Sequence, residues 1–147
     1  NSAFKFAFIR NPWCRTLSAY RYLRNGGNHQ DDIKISQKIR EYQDFDSFVI
    51  DGLGNGLFRN HLLFIPQSEF VVNGDGDIVV DYLGRHENIE SDFEHIAKTL
   101  SLNIYLRRKK RGEGNVTDYR AFYLTEKSKD IVKELYKQDV FMFNYNF

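Results

Sequence analysis

The feature that most constrains this chain is a junction near its start. Phe4-Lys5-Phe6-Ala7-Phe8-Ile9 is short, aromatic and largely apolar, which reads as a strand buried in a sheet rather than as a helix. It ends in Arg10 and runs straight into Asn11-Pro12, where Asn supplies a helix N-cap and Pro suits the first helical position. Helix-compatible residues continue from Trp13 to Arg24, until Asn25-Gly26-Gly27 stops them. The order is strand, tight turn, helix. It sets a guanidinium beside a helix amino terminus, where free N–H groups and the macrodipole favour an anion.

On that helix Asn11, Arg15, Ser18 and Tyr22 fall four, three and four residues apart and line one face, while Trp13, Leu17, Tyr20 and Arg24 form a neighbouring stripe. A phosphate monoester near Arg10 would receive charged hydrogen bonds from Arg10 and Arg15 and a hydroxyl bond from Ser18. The alternative on spacing alone is that both arginines are solvated or pair with acids. The formal net charge of +1 names no polyanion partner, so any anion recognition must come from local placement of Arg and Lys.

The remaining elements follow from pattern. Ile33–Tyr42 and Phe45–Val49 carry apolar residues at helical spacing, which predicts two short amphipathic helices, ended by Gly52, Gly54 and Gly56. Glu69–Val72 and Ile78–Leu83 flank Asn73-Gly74-Asp75-Gly76-Asp77, which predicts a hairpin. That acidic turn departs from a calcium loop, because Ile78 stands where the pattern wants Gly. Asn88 is expected to cap a helix through Phe93, Ile96 and Leu100, with Glu90, Asp92 and Glu94 serving its positive end. Thr125 opens a last helix bearing Ile131, Val132, Leu135 and Tyr136. At 147 residues, with 41% hydrophobic content and no internal repeat, one globular domain over residues 1–147 is expected.

Arg10-Asn11-Pro12-x-x-Arg15-x-x-Ser18-x-Tyr20, preceded by an aromatic strand, resembles the 3'-phosphate-binding motif of sulfotransferases that use 3'-phosphoadenosine 5'-phosphosulfate (PAPS), closest to the carbohydrate (type 2) branch. Similar segments follow in order: His61 with Pro66-Gln67 and Phe70, then Asp81 to Asn88, Asn115-Val116-Thr117 with Tyr119, and Tyr136, Asp139, Phe143 and Tyr145. The resemblance implies an α/β, three-layer fold related to nucleotide kinases with a parallel sheet core. It implies PAPS as sulfuryl donor, PAP as product, and a hydroxyl or amine of a carbohydrate-like acceptor. By carry-over Arg10 and Ser18 hold the 3'-phosphate, Arg15 supports them, and the loop with Asn115 and Thr117 closes over the nucleotide. His61 is the candidate for acceptor handling or base, an ordinary packing histidine being the alternative reading.

The family pattern also wants an earlier strand-loop-helix that cradles the 5'-phosphosulfate. Nothing before Arg10 supplies it, and the chain starts without Met, so an upstream segment is expected. Cys14 stands where the branch often carries an acid beside Arg15; alone, it can form no intrachain disulfide and has no neighbours at metal-site spacing. Two other classes stay open: a non-catalytic nucleotide-binding domain, and a polyanion-binding module using the basic run at 107–111, although no specific nucleic-acid partner is indicated. No apolar run approaches the roughly 20 residues of a membrane span. A bacterial-type cytoplasmic location is expected, with the Golgi lumen as the alternative.

Overall fold

The computed structural model describes residues 3–107 and 118–147. These residues form two compact units, one built from residues 3–10 and 67–107, the other from residues 11–66 and 118–147.

The first unit holds a parallel two-stranded sheet. Strand β1 (Phe6–Ile9) pairs with β2 (Tyr82–Arg85) in the register Phe6↔Tyr82 to Ile9↔Arg85. This is the parallel α/β arrangement expected. β1 is less buried than its sequence suggests, with Phe6 43% exposed, because among the described residues it has β2 as its one partner strand. Asp81 starts the ladder: its carboxylate accepts the Lys5 N–H at 2.7 Å and its own N–H donates to the Lys5 carbonyl at 2.8 Å. Gly84 lies under the Phe8 ring, and a Cβ there would clash with it.

The hairpin expected at 69–83 forms only at its tip. Ser68–Val71 is a helical turn, α4, and the antiparallel pairing is confined to the bridge Val72↔Ile78, where the Val79 N–H donates to the Val71 carbonyl and the Asn73 N–H to the Asp77 carbonyl, both at 2.9 Å. The Asn73 side chain accepts the N–H groups of Asp75 and Asp77, closing a tight local loop, and Tyr82–Leu83 pair with β1 instead. A long-range partner outweighs the local turn signal. Helix α5 (Ile89–Thr99) follows as expected, although no side-chain bond from Asn88 caps it. Asp92 is more than helix chemistry: its carboxylate accepts the Arg85 N–H at 2.6 Å and the Tyr82 hydroxyl at 3.1 Å, tying α5 to β2.

The second unit is helical. Helix α1 (Pro12–Arg24) begins at the Asn11 cap and ends in a turn where Gly26 and Gly27 have φ of 110° and 63°. Helices α2 (Gln30–Arg40) and α3 (Phe45–Ser47) follow, with α3 running into a π-helical turn at Phe48–Leu53. The last helices are α6 (Glu126–Leu135), capped by Thr125, and α7 (Lys137–Met142). Their apolar faces meet around Phe48, which is fully buried and ringed by Tyr20, Tyr42, Phe45, Phe58 and Phe64. The Tyr136 hydroxyl donates to the Phe64 carbonyl and the Tyr123 hydroxyl to the Trp13 carbonyl, so two buried phenols satisfy backbone oxygens in this core. Asp139, Phe143 and Tyr145 are buried here as well. No helix among the described residues is long and apolar enough to cross a membrane.

Candidate functional site

Arg10 is the first residue beyond β1, and His86 the first beyond β2. Since Ile9 pairs with Arg85, both leave neighbouring parallel strands at their carboxyl ends, the edge at which open α/β sheets bind ligands. The Arg10 backbone is held at two points. Its N–H donates to Gln67 Oε1 at 2.8 Å, and Gln67 Nε2 donates to its carbonyl at 2.8 Å. Partial desolvation, and then the positive charge of Arg10, hold the His86 imidazole below its ordinary pKa, with Glu87 opposing. An adjoining cleft of about 630 Å³ carries Glu87, Glu90 and Glu94, and those carboxylates suit it poorly to a phosphate.

On α1 the structure corrects one expectation. Asn11 Oδ1 accepts the N–H groups of Trp13 and Cys14 at 3.1 and 3.3 Å, Pro12 has none, and the Arg15 N–H donates to the Asn11 carbonyl at 2.8 Å. The cap uses the Trp13 and Cys14 donors that were expected to be free for an anion, which leaves the recognition chiefly to side chains and the helix dipole. Ser18 is exposed on this helix. Arg15 is turned inward: its Nη1 donates to the Ile65 carbonyl at 2.8 Å and its guanidinium lies 6.0 Å from the Tyr136 ring centroid. Burial lowers its pKa, against the charges of Tyr136 and Asp139, but a guanidinium stays protonated. That geometry is a brace of the helical unit.

His61 lines a cavity of about 480 Å³ in the helical unit, together with Tyr22, His29, Asp32 and Asn60. Its Nε2 lies 3.6 Å from Asp32 Oδ1, and its Nδ1 accepts the Leu63 N–H at 3.4 Å. The Nδ1 lone pair is thus engaged, and the proton of a neutral ring belongs on Nε2, facing the carboxylate. Asp32 also accepts the Tyr22 hydroxyl at 2.8 Å and the N–H groups of Asn28 and His29, which hold its carboxyl below the usual value. Gly27, at positive φ, packs against Asp32 with no room for a side chain.

Asn115, Thr117 and positions 108–111 of the basic run lie outside the described residues. Sequence reasoning missed what Asp32 and Gln67 do. Asp32 carried one available signal, its place three residues after His29 at a helix start. The partner of Gln67 is 57 residues away, and no local pattern announces it.

The model of the sulfotransferase family matches residues 1–146. No curated protein and no solved structure matches the chain.

Proposed function

The chain belongs to the sulfotransferase family, and on that premise we propose that it moves a sulfuryl group from PAPS to a hydroxyl or amine of a carbohydrate-like acceptor. Sulfuryl transfer itself is the reaction of the family; donor and acceptor are our reading. The observation that carries it is Arg10, which opens the motif Arg10 to Tyr20, stands at the carboxyl end of a parallel strand and bears on the field at His86.

Arg10 donates charged hydrogen bonds to the 3'-phosphate, and the exposed Ser18 hydroxyl is a second ligand; their pairing is carried by spacing in the sequence. Both groups suit a phosphate monoester, one as fixed charge and one as neutral donor. Arg15 keeps α1 in place through the Ile65 carbonyl. Asn115 and Thr117 are proposed nucleotide contacts on the family-like motif alone. In the transfer, the acceptor oxygen or nitrogen forms a bond to sulfur, the bond from sulfur to the bridging phosphate oxygen breaks, PAP leaves, and the acceptor proton passes to a base. His61 is our candidate for acceptor handling. With Nδ1 on the Leu63 N–H and Nε2 facing Asp32, orienting an acceptor suits this ring better than removing its proton.

Calorimetric titration tests the reading, with PAP and AMP as ligands and Arg10→Ala and Ser18→Ala as variants. PAP should be preferred over AMP. A charged hydrogen bond is worth about 1.5 to 3 kcal/mol, so Arg10→Ala should weaken PAP on the order of tenfold to a hundredfold. Equal affinity for the two nucleotides would overturn the 3'-phosphate site. Failure of the whole protein to consume PAPS with any acceptor in a broad panel would leave a non-catalytic binding domain.

A further inference from the structure

We infer that Gln67 is a positioning residue for the donor site, acting through the backbone of Arg10; this rests on the reading of Arg10 as the 3'-phosphate ligand. Gln67 is 8% exposed, and its side-chain amide meets the two backbone polar groups of a single residue, accepting from the Arg10 N–H and donating to the Arg10 carbonyl, both at 2.8 Å. The ladder between β1 and β2 ends at Ile9↔Arg85, one residue earlier. The Gln67 amide thus continues strand-like pairing for one residue past the end of the sheet.

Few side chains can do this. A backbone peptide needs one acceptor and one donor side by side, which a primary amide carries; a carboxylate lacks the donor and an aliphatic chain lacks both. The Gln67 backbone is itself fixed, its carbonyl accepting the Phe70 N–H at 3.0 Å as α4 begins. The anchor is thus tied to the start of a helical turn. A long arginine side chain starting from a fixed Cα loses less freedom on meeting a phosphate than one starting from a frayed strand end, so the clamp acts as preorganisation of the cation.

Gln67→Met removes both hydrogen bonds at similar length. Calorimetry with PAP and with AMP, on wild type, Gln67→Met, Arg10→Ala and the double variant, reads the coupling. The expected result is a loss of PAP affinity on the order of tenfold in Gln67→Met, unchanged AMP affinity, and no further loss when Gln67→Met is added to Arg10→Ala. A role confined to folding would weaken both nucleotides alike and persist in the Arg10→Ala background, and either result overturns the inference. Amide hydrogen exchange gives an independent readout. The Arg10 N–H should be protected in the wild type and exposed to exchange in Gln67→Met; rapid exchange in the wild type also overturns the clamp. Should Gln67→Met fail to fold, Gln67→Glu keeps an acceptor for the Arg10 N–H, loses the donor to its carbonyl, and should still lose PAP preference. A wild type that does not distinguish PAP from AMP refutes the reading of Arg10, and the inference falls with it. A wild type that prefers PAP, with Gln67→Met keeping that preference, refutes the inference alone.

Discussion

The two units are held together by different forces. The helical unit buries Leu23, Ile39, Phe48, Val49, Leu53, Phe64 and Val132 completely, in a core of interlocking rings. The sheet unit buries few apolar side chains, among them Ile9, Val71, Ile96 and Ala97, and leaves Phe6, Phe70, Ile78, Leu102 and Ile104 exposed. Its order comes from polar ties to backbone: Asp81 to Lys5, Asp92 to Arg85, Gln67 to Arg10. Dispersion and burial stabilise in bulk, whereas a hydrogen bond adds little net stability but fixes direction. The arginine proposed to read the ligand belongs to the unit built for direction.

That contrast can be broken. Phe48→Ala should cost about 3 to 5 kcal/mol in denaturant unfolding, because a cavity opens among rings that cannot all collapse. A loss below about 1 kcal/mol would mean that the aromatic cluster is not a packed core. Gly84→Ala in the sheet unit should cost less, about 1 to 3 kcal/mol, since the new Cβ meets the Phe8 ring at its neighbouring register position. A cost equal to that of Phe48→Ala would remove the distinction between the units.

Titration sharpens the same comparison. Tyr136 is 1% exposed, and burial pushes its hydroxyl up to about 12 against the opposing charge of Arg15. Between the ordinary tyrosine value of about 10 and that value the folded state keeps a proton that the unfolded state releases. Stability should therefore fall as pH rises from about 10, and Tyr136→Phe should flatten this alkaline slope in pH-dependent unfolding. An unchanged slope would place the alkaline weakness elsewhere.

The smallest expected effect is at His86, whose pKa is lowered. The unfolded chain takes up a proton that the folded state resists, so this group destabilises as pH falls through the ordinary histidine value of about 6.5. Followed by NMR, His86 should titrate below a model histidine, and bound PAP should raise its pKa by offsetting the Arg10 charge. Glu87 is the acid that already opposes that charge. No response to PAP would separate Arg10 from the ligand site.

Legibility tracked locality. The junction from Phe4 to Gly27 was readable because every cue in it acts within a few residues: the apolar run, the Asn11 cap, Pro12, and the two glycines at positive φ. The expected hairpin stayed confined to its tip for the converse reason. Asn73 and its neighbours do make a turn, but which strand Tyr82–Arg85 joins depended on β1, more than 70 residues earlier in the chain. Arg15 shows the same limit at the site. Its spacing with Ser18 put it on a phosphate-facing stripe, and only the placement of Ile65, Tyr136 and Asp139 shows that it is turned inward.

By itself, then, the sequence determined the helix starts and stops, the motif that marks the family, and the residue types suited to an anion, since each depends on chemistry between near neighbours. Tertiary structure alone decided the parallel pairing of β1 with β2, the hold of Gln67 on Arg10, the bond from the Asn11 side chain to the Asn146 carbonyl, and the meeting of His61 with Asp32. These join residues distant in the chain. Hydrogen bonds and packing act over a few ångströms of space, and no spacing rule along a chain encodes which distant segments will come that close.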